Sequence, residues 1–314
     1  MAQPASTFDS YDAIGNREDL SDVIYNISPT LTPFMSGIKK TTATATNHEW
    51  QTDELSAVDG SNAVIEGDDA TTTASAPTVR LGNQTQISDK VPRVTGTQRK
   101  NSSAGRGDEM DYQVTKSSRE LKRDIETILL SNQAKVVGNS TTARKLAAVE
   151  SWLGTNTSAG TGGADPTGDG TDARTDGTQR ALLESDVKSV LADIANEGGN
   201  AGHIMVGSFN KQAFSAFSGN ATRTTDSTNQ ALNTAVHIYV SDFGELSVTF
   251  NRFQRKRSCL ILDMEMWGFA TLRDFQSTDL AKTGDTDRKQ ILCEYTLECN
   301  QEKASGIVAD LTTA

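Results

Sequence analysis

No run in this sequence approaches the ~18 consecutive apolar residues of a membrane-spanning helix, so no membrane partner is expected. Aromatic residues are scarce at 6%. Hydrophobic residues reach 35%, and adding the 25 glycines brings the apolar share only to about 43%, below the usual ~45–50%. A generous core is therefore excluded. Basic residues are also short, 30 Lys and Arg against 41 Asp and Glu, and the net charge of -11 excludes a protein that grips nucleic acid to read its sequence. The three cysteines are an odd number without a CxxC pair, which fits synthesis in a reducing cytoplasm better than a disulfide framework. Met1 to Ser10 lacks the basic and apolar stretches of a secretory signal.

Catalytic patterns are missing as well. Each of the three histidines, His48, His203 and His237, lies in a strand-like segment with no second ligand at metal spacing. There is no G-x-S-x-G elbow, and no Walker lysine follows the glycines of Gly160–Gly170. Neither an enzyme nor a cofactor is expected. Asp165, Asp169 and Asp176 fall at positions one, five and twelve of a partial EF-hand register. Thr167 at position three and the lack of a preceding helix favour a solvated loop over a metal site. Cys293 and Cys299 share a strand face but stand ~20 Å apart, beyond the ~7 Å limit for a bridge, so core thiols are expected. The tripeptide Arg106-Gly-Asp108 is read as helix capping.

What is present is Thr, Ser, Asn, Gly and Ala, a composition suited to strands, turns and extended segments that a neighbouring chain would cover. Residues 1–40 read as an acidic extended arm with a helical turn near Asp19–Tyr25, broken at Ser28-Pro-Thr-Leu-Thr-Pro-Phe34. Alternation predicts one strand over Thr41–Thr52, with Thr44, Thr46, His48 and Trp50 on one face. It predicts a second over Thr78–Val94, with Val79, Leu81, Ile87 and Val91 together. The intervening Leu55–Pro77, carrying Asp59, Glu66, Asp68 and Asp69, is too polar for a core of its own, so residues 41–95 form a projecting hairpin. Met110, Val114, Leu121, Ile125, Ile128, Leu129 and Val136 predict one helix over about 107–137, capped by Asp108 and ended by Gly138, a rod of ~45 Å.

After a Gly/Asp/Thr-rich loop over 154–177, Leu183, Val187, Val190, Leu191 and Ile194 mark a second helix. His203–Val206 reads as a buried strand, and Ser208 as the cap of a third helix bearing Phe209, Ala213 and Phe217. Val236, Ile238 and Val240 pair with Leu246, Val248 and Phe250 across Asp242–Glu245, and Cys259–Leu272 and Lys289–Asn300 are further strands. Arg252, Arg255, Lys256 and Arg257 form a basic cluster, read as a solvated turn, as a partner for an acidic patch on another subunit, or as a contact for packaged nucleic acid. With Arg119, Lys122 and Arg123 of the long helix, they are candidate inter-subunit contacts for the four hairpin-tip acids.

The order of these elements resembles the α+β fold shared by tailed-phage and herpesvirus shells, with N-arm, E-loop, P-domain and A-domain. Local phrasing is similar to one branch of the tailed-bacteriophage major capsid proteins. The stretches that carry it, in order, are Thr30-Leu-Thr-Pro-Phe34, His203-Ile-Met-Val-Gly-Ser-Phe-Asn-Lys211, Tyr239-Val-Ser-Asp-Phe-Gly244, Asn251-Arg-Phe253, Lys282-Thr-Gly-Asp285 and Glu294-Tyr-Thr-Leu-Glu298. The resemblance implies an N-arm over 1–40, an E-loop over 41–95, a P-domain with its spine helix over 96–153, mainly A-domain over 154–250, and P-domain return strands over 251–314. It further implies self-assembly into hexamers and pentamers of an icosahedral virion shell, built in the host cytoplasm around double-stranded DNA that is not bound by sequence. Portal and decoration proteins are implied partners. Only some forty residues precede the hairpin, so a separate scaffold protein is expected. The Lys–Asn crosslink of some relatives finds no matching residues here and is not carried over. The alternative is another self-assembling subunit, of a tail tube, a decoration or a surface layer.

Overall fold

The computed structural model describes residues 31–70, 75–101, 107–217 and 237–314. The turn expected near Asp19–Tyr25, Arg106 and Val236 lie outside them. The chain opens with a short helix α1 (Pro33–Gly37), strand β1 (Lys39–Thr42) and a hairpin of β2 (Asn47–Thr52) and β3 (Val79–Gln84). Next come β4 (Gln86–Lys90), β5 (Arg93–Thr95), α2 (Gly96–Lys100) and the long helix α3 (Glu109–Leu129). Then follow α4 (Val149–Trp152), β6 (Thr157–Ser158), α5 (Glu184–Asn196), β7 (His203–Val206) and α6 (Ser208–Ser215). The remainder is β8 (Ile238–Ser241), β9 (Gly244–Phe250), β10 (Cys259–Leu262), β11 (Trp267–Asp279), β12 (Thr286–Cys299) and β13 (Gly306–Val308).

Two sheets organise these elements into an α+β fold. Five strands form the first, in the order β1-β11-β12-β4 with β5 also on β12, and six form the second, in the order β6-β13-β10-β7-β9-β8. One core cluster joins α3, α4 and the first sheet through Leu121, Ile125, Trp152, Trp267 and Tyr295. The other lies where α5 and α6 cover the second sheet, with Val187, Val190, Phe214, Ile204 and Val248. The C-terminal return strands divide between the sheets, β10 and β13 entering the second and β11 and β12 the first. Cys259, Cys293 and Cys299 are free and buried. Burial pushes the Cys259 and Cys293 thiols up to about 12.

Helix α3 starts where its chemistry says it should. Asp108 accepts a hydrogen bond from the Met110 N–H, and Glu109 and Asp111 complement the positive end of the helix dipole. It ends earlier than the expected Val137. Its 21 residues span ~31 Å instead of ~45 Å. The cause is a cluster of polar side chains that compete for backbone groups. Ser131 donates to the Ile128 carbonyl, Asn132 to that of Arg174, and Gln133 to that of Leu146. Val136 then bridges to Lys145, with Gly138 at φ 74° turning the chain.

The two long strands of the hairpin are also interrupted. Thr41–Thr52 breaks between β1, which runs parallel to β11, and β2, which pairs antiparallel with β3. Thr44 and Thr46 are exposed in that gap, while Ala43 is buried. Thr78–Val94 breaks at Thr85, whose hydroxyl bonds to buried Glu294. Beyond that point the alternation restarts in another sheet and leaves Ile87 and Val91 exposed, while before it Val79 is exposed and Leu81 packs against the core. In α6 the cap position is Gly207, not Ser208, and the buried face holds Asn210 and Phe214 while Phe209 is exposed. Cys259–Leu272 breaks at a tight turn over Met264–Met266 capped by Asp263.

Candidate functional site

The feature that the rest of the molecule positions is the β2–β3 hairpin. Its strands pair in register from Asn47–Gln84 to Thr52–Val79. Its root is fixed by Asn83, which is fully buried although polar. The Asn83 amide donates to the Ala147 and Leu297 carbonyls, and its oxygen accepts from the Ala147 N–H. Lys135 donates to the Gly82 carbonyl, and the Trp50 ring lies 5.4 Å from that of Trp152. The Asn83 side chain is thus fully hydrogen-bonded where the hairpin leaves the body, which fixes its direction.

Beyond the root the chain is bare. Residues 53–70 are all exposed, and Leu55 and Val58 are each 99% accessible. Asp59, Glu66, Asp68 and Asp69 form no ion pair among the described residues. Such a tip gains nothing from its own fold, because apolar side chains left in water contribute no burial energy.

The expected basic partners occupy different surroundings. Arg119 and Lys122 are exposed on α3; Lys122 lies 5.7 Å from the Phe275 ring, and half-buried Arg123 lies 5.5 Å from that of Phe253. The 252–257 cluster splits. Arg255 reaches the buried Glu150 carboxylate at 2.8 Å and also pairs with Asp176. Arg257 pairs with Asp176 at 3.1 Å and with buried Asp310 at 2.7 Å. These two arginines therefore pin the Gly/Asp-rich loop to the second sheet within one chain. Arg252, stacked on Phe250 at 5.4 Å, and Lys256 stay exposed, with no ion pair among the described residues.

The three aspartates of the loop face separate partners. Asp165 serves Arg174 and Thr157, Asp169 serves Thr167 and Thr171, and Asp176 serves the two arginines. The Arg255 guanidinium holds the Asp176 carboxyl below its ordinary value. Among the described residues no group of three His, Cys, Asp or Glu is placed to hold a metal ion.

Several buried polar residues escaped the sequence reading. Glu126 is one: its carboxylate accepts from the Phe34 and Met35 N–H groups and from the Asn251 amide, joining α3 to the end of the arm and to the β9–β10 connection. Its position beside Ile125, three residues before Leu129, was the available signal, since it borders the apolar stripe. Glu294 is another, held by Arg144 at 2.6 Å and Arg273 at 2.7 Å. Nothing in the alternation of β12 separates it from a solvent-facing glutamate. Asp310 takes φ 59° to accept from the Gly160 and Gly177 N–H groups, and no local pattern marks it.

Comparison with known proteins bears on the whole chain. A family model described as SU10 major capsid protein matches residues 5–312. The major capsid protein of Escherichia phage Phieco32 is 31% identical over 345 residues, covering 98% of this chain and 97% of that one. Among solved structures, the Cyanophage A-1(L) capsid asymmetric unit matches with a TM-score of 0.66 at 12% identity, covering 97% of this chain and 98% of that one. A chain of Gordonia phage Cozz matches at 0.63 and 9% identity, covering 99% and 98%. The capsid of a native GTA particle matches at 0.62 and 12%, covering 96% and 98%. At these identities the structural likeness speaks for the fold.

Proposed function

The chain belongs to the SU10 major capsid protein family and is a phage capsid-shell subunit, and from this premise we propose that its copies form the hexamers and pentamers of an icosahedral shell around double-stranded DNA. Family membership sets aside the tail-tube, decoration and surface-layer alternative. The observation that carries the proposal is the hairpin: a hydrogen-bonded root, a bare extended tip, and four acids with no ion pair among the described residues. The tip of one copy lies on a second copy, along the outer edge of β4 and the exposed face of α3.

Complementarity supports this seat. Strand β4 ends its sheet, with only β12 beside it among the described residues, so its outer edge can receive an extended segment. Ile87 and Val91 are exposed there, a match for Leu55, Val58, Val64 and Ile65 of the tip. The Lys90–Asp124 ion pair at 2.7 Å ties β4 to α3, which brings Arg119 and Lys122 within reach of the tip acids. Exposed ion pairs contribute only ~0.2–1 kcal/mol each, so register and repetition over every interface matter more than any one pair.

A shell subunit of net charge -11 presents packaged DNA with a wall that does not grip phosphate. Assembly takes place in the host cytoplasm with a separate scaffold and a portal, and decoration proteins bind the finished shell. The hairpin is tested by replacing residues 57–75 with a short Gly/Ser turn and viewing the expressed protein by negative-stain microscopy. The expected product is folded protein in capsomers or single subunits, without closed shells. Normal shells would remove the hairpin from the assembly contact.

A further inference from the structure

Strand β9 has unlike ends. At its start the β8–β9 turn exposes Asp242, Phe243 and Glu245, and Phe243 is 53% accessible. At its other end Phe250 is exposed under the Arg252 guanidinium at 5.4 Å. Lys256 belongs to that same end. Phe250 pairs with Val206, the next residue Gly207 lies against the Lys256 backbone, and Asn210 of α6 donates to the Lys256 carbonyl at 2.9 Å. Seven residues of strand separate the ends, a span of ~20 Å. None of the four charged groups has an ion-pair partner among the described residues.

We infer that the two ends of β9 are the two halves of one head-to-tail contact between copies, the Asp242–Glu245 end of one seating on the Phe250, Arg252 and Lys256 end of the next. The inference rests on the reading that copies of this chain associate, and it names a contact separate from that of the hairpin. Each end combines an exposed aromatic ring with two charges of one sign that no ion pair claims among the described residues, and the signs are opposite. Lys188, whose charge Asp242 favours, is already paired with Glu184 at 2.8 Å. A two-fold contact of either end with itself would bring like charges together, which is unfavourable. A two-fold contact pairing each end with the other would use both ends at once and stop at a dimer, whereas a head-to-tail contact leaves one end free on each side and closes into a ring if the rotation allows. Because the groups are exposed, salt should weaken the contact.

The test uses the full-length chain and reverses charge. Asp242→Lys with Glu245→Lys makes both ends basic, and Arg252→Glu with Lys256→Glu makes both acidic. All four positions are exposed, so each variant should melt like the unaltered chain. By sedimentation and negative-stain microscopy each two-site variant should lose rings and shells, and the chain carrying all four reversals should regain them. Two-site variants that assemble normally would overturn the contact, as would a four-site chain that assembles no better than the two-site ones. An unaltered chain that never associates would instead overturn the shell-building reading, and this contact with it.

Discussion

Replacing Glu126 by alanine should be among the most damaging single changes in the molecule, through a loss that no apolar contact replaces. Its side chain is fully buried and holds three N–H donors at 2.7–2.9 Å, two of them backbone groups at the start of α1. Alanine leaves those two N–H groups buried without an acceptor, at ~1–3 kcal/mol each, and frees the Asn251 amide as well. Removing a desolvated carboxylate offsets part of this, so the net loss should be about 3 kcal/mol. Glutamine keeps one oxygen for two donors but turns an NH2 toward the third, so Glu126→Gln should cost about half as much.

The pH dependence separates this clamp from simple packing. Burial pushes the Glu126 carboxyl above its ordinary 4.5, against the pull of its three donors. The unfolded chain therefore gives up this proton at lower pH than the folded one, and this group's contribution is full below 4.5 and declines as pH rises through the folded value. The penalty for Glu126→Ala should then be larger near pH 5 than near pH 8. Denaturant unfolding at both pH values gives the difference, and amide exchange at Phe34 and Met35 reports whether the arm has come loose. If the alanine variant unfolds at the same denaturant concentration and both amides stay protected, the clamp reasoning is refuted.

Ile125→Asp should place an unpaired charge in a fully buried site and cost several kcal/mol, read as a lower melting temperature or insoluble expression. Asn83→Ala should cost ~2–4 kcal/mol by stranding the Ala147 and Leu297 backbone groups, and faster proteolysis within residues 53–70 would show the hairpin root loosened. The buried thiols, with Cys259 and Cys293 pushed up to about 12, should resist a disulfide reagent in folded protein, react fully in denaturant, and give no ladder on a non-reducing gel. Asp176 and Asp108 are held below their ordinary 3.8 by Arg255 and Arg99, so their stabilisation is present above that value and lost as pH falls through the folded one. Acid titration of unfolding should therefore be less steep in Arg255→Ala.

Wherever one residue and its near neighbours carry the cause, the sequence already determined the outcome. Periodicity marks the buried face of α3 because residues three and four apart share a side, and Asp108 begins that helix because its oxygen meets an N–H two residues on. Strand β7 follows from its short apolar run, and the β8–β9 hairpin from alternation and a turn. The polarity of residues 55–77 was enough to expect no core there, and those of them that are described are all exposed; six ordered stretches of local phrasing were enough for the family. Where the cause lies far along the chain, only the tertiary structure decided. Thr85 ends one strand because Glu294 waits 209 residues away, and α3 stops at Leu129 because the carbonyls of Arg174 and Leu146, in two later segments, claim Asn132 and Gln133. Arg255 and Arg257 sit in the same tight basic cluster as Arg252 and Lys256, yet the fold brings Glu150, Asp176 and Asp310 to the first pair and leaves the second in water. A charged residue reads alike in sequence whether it is neutralised within its own chain or left for a neighbour, because that difference depends on which distant backbone folds against it.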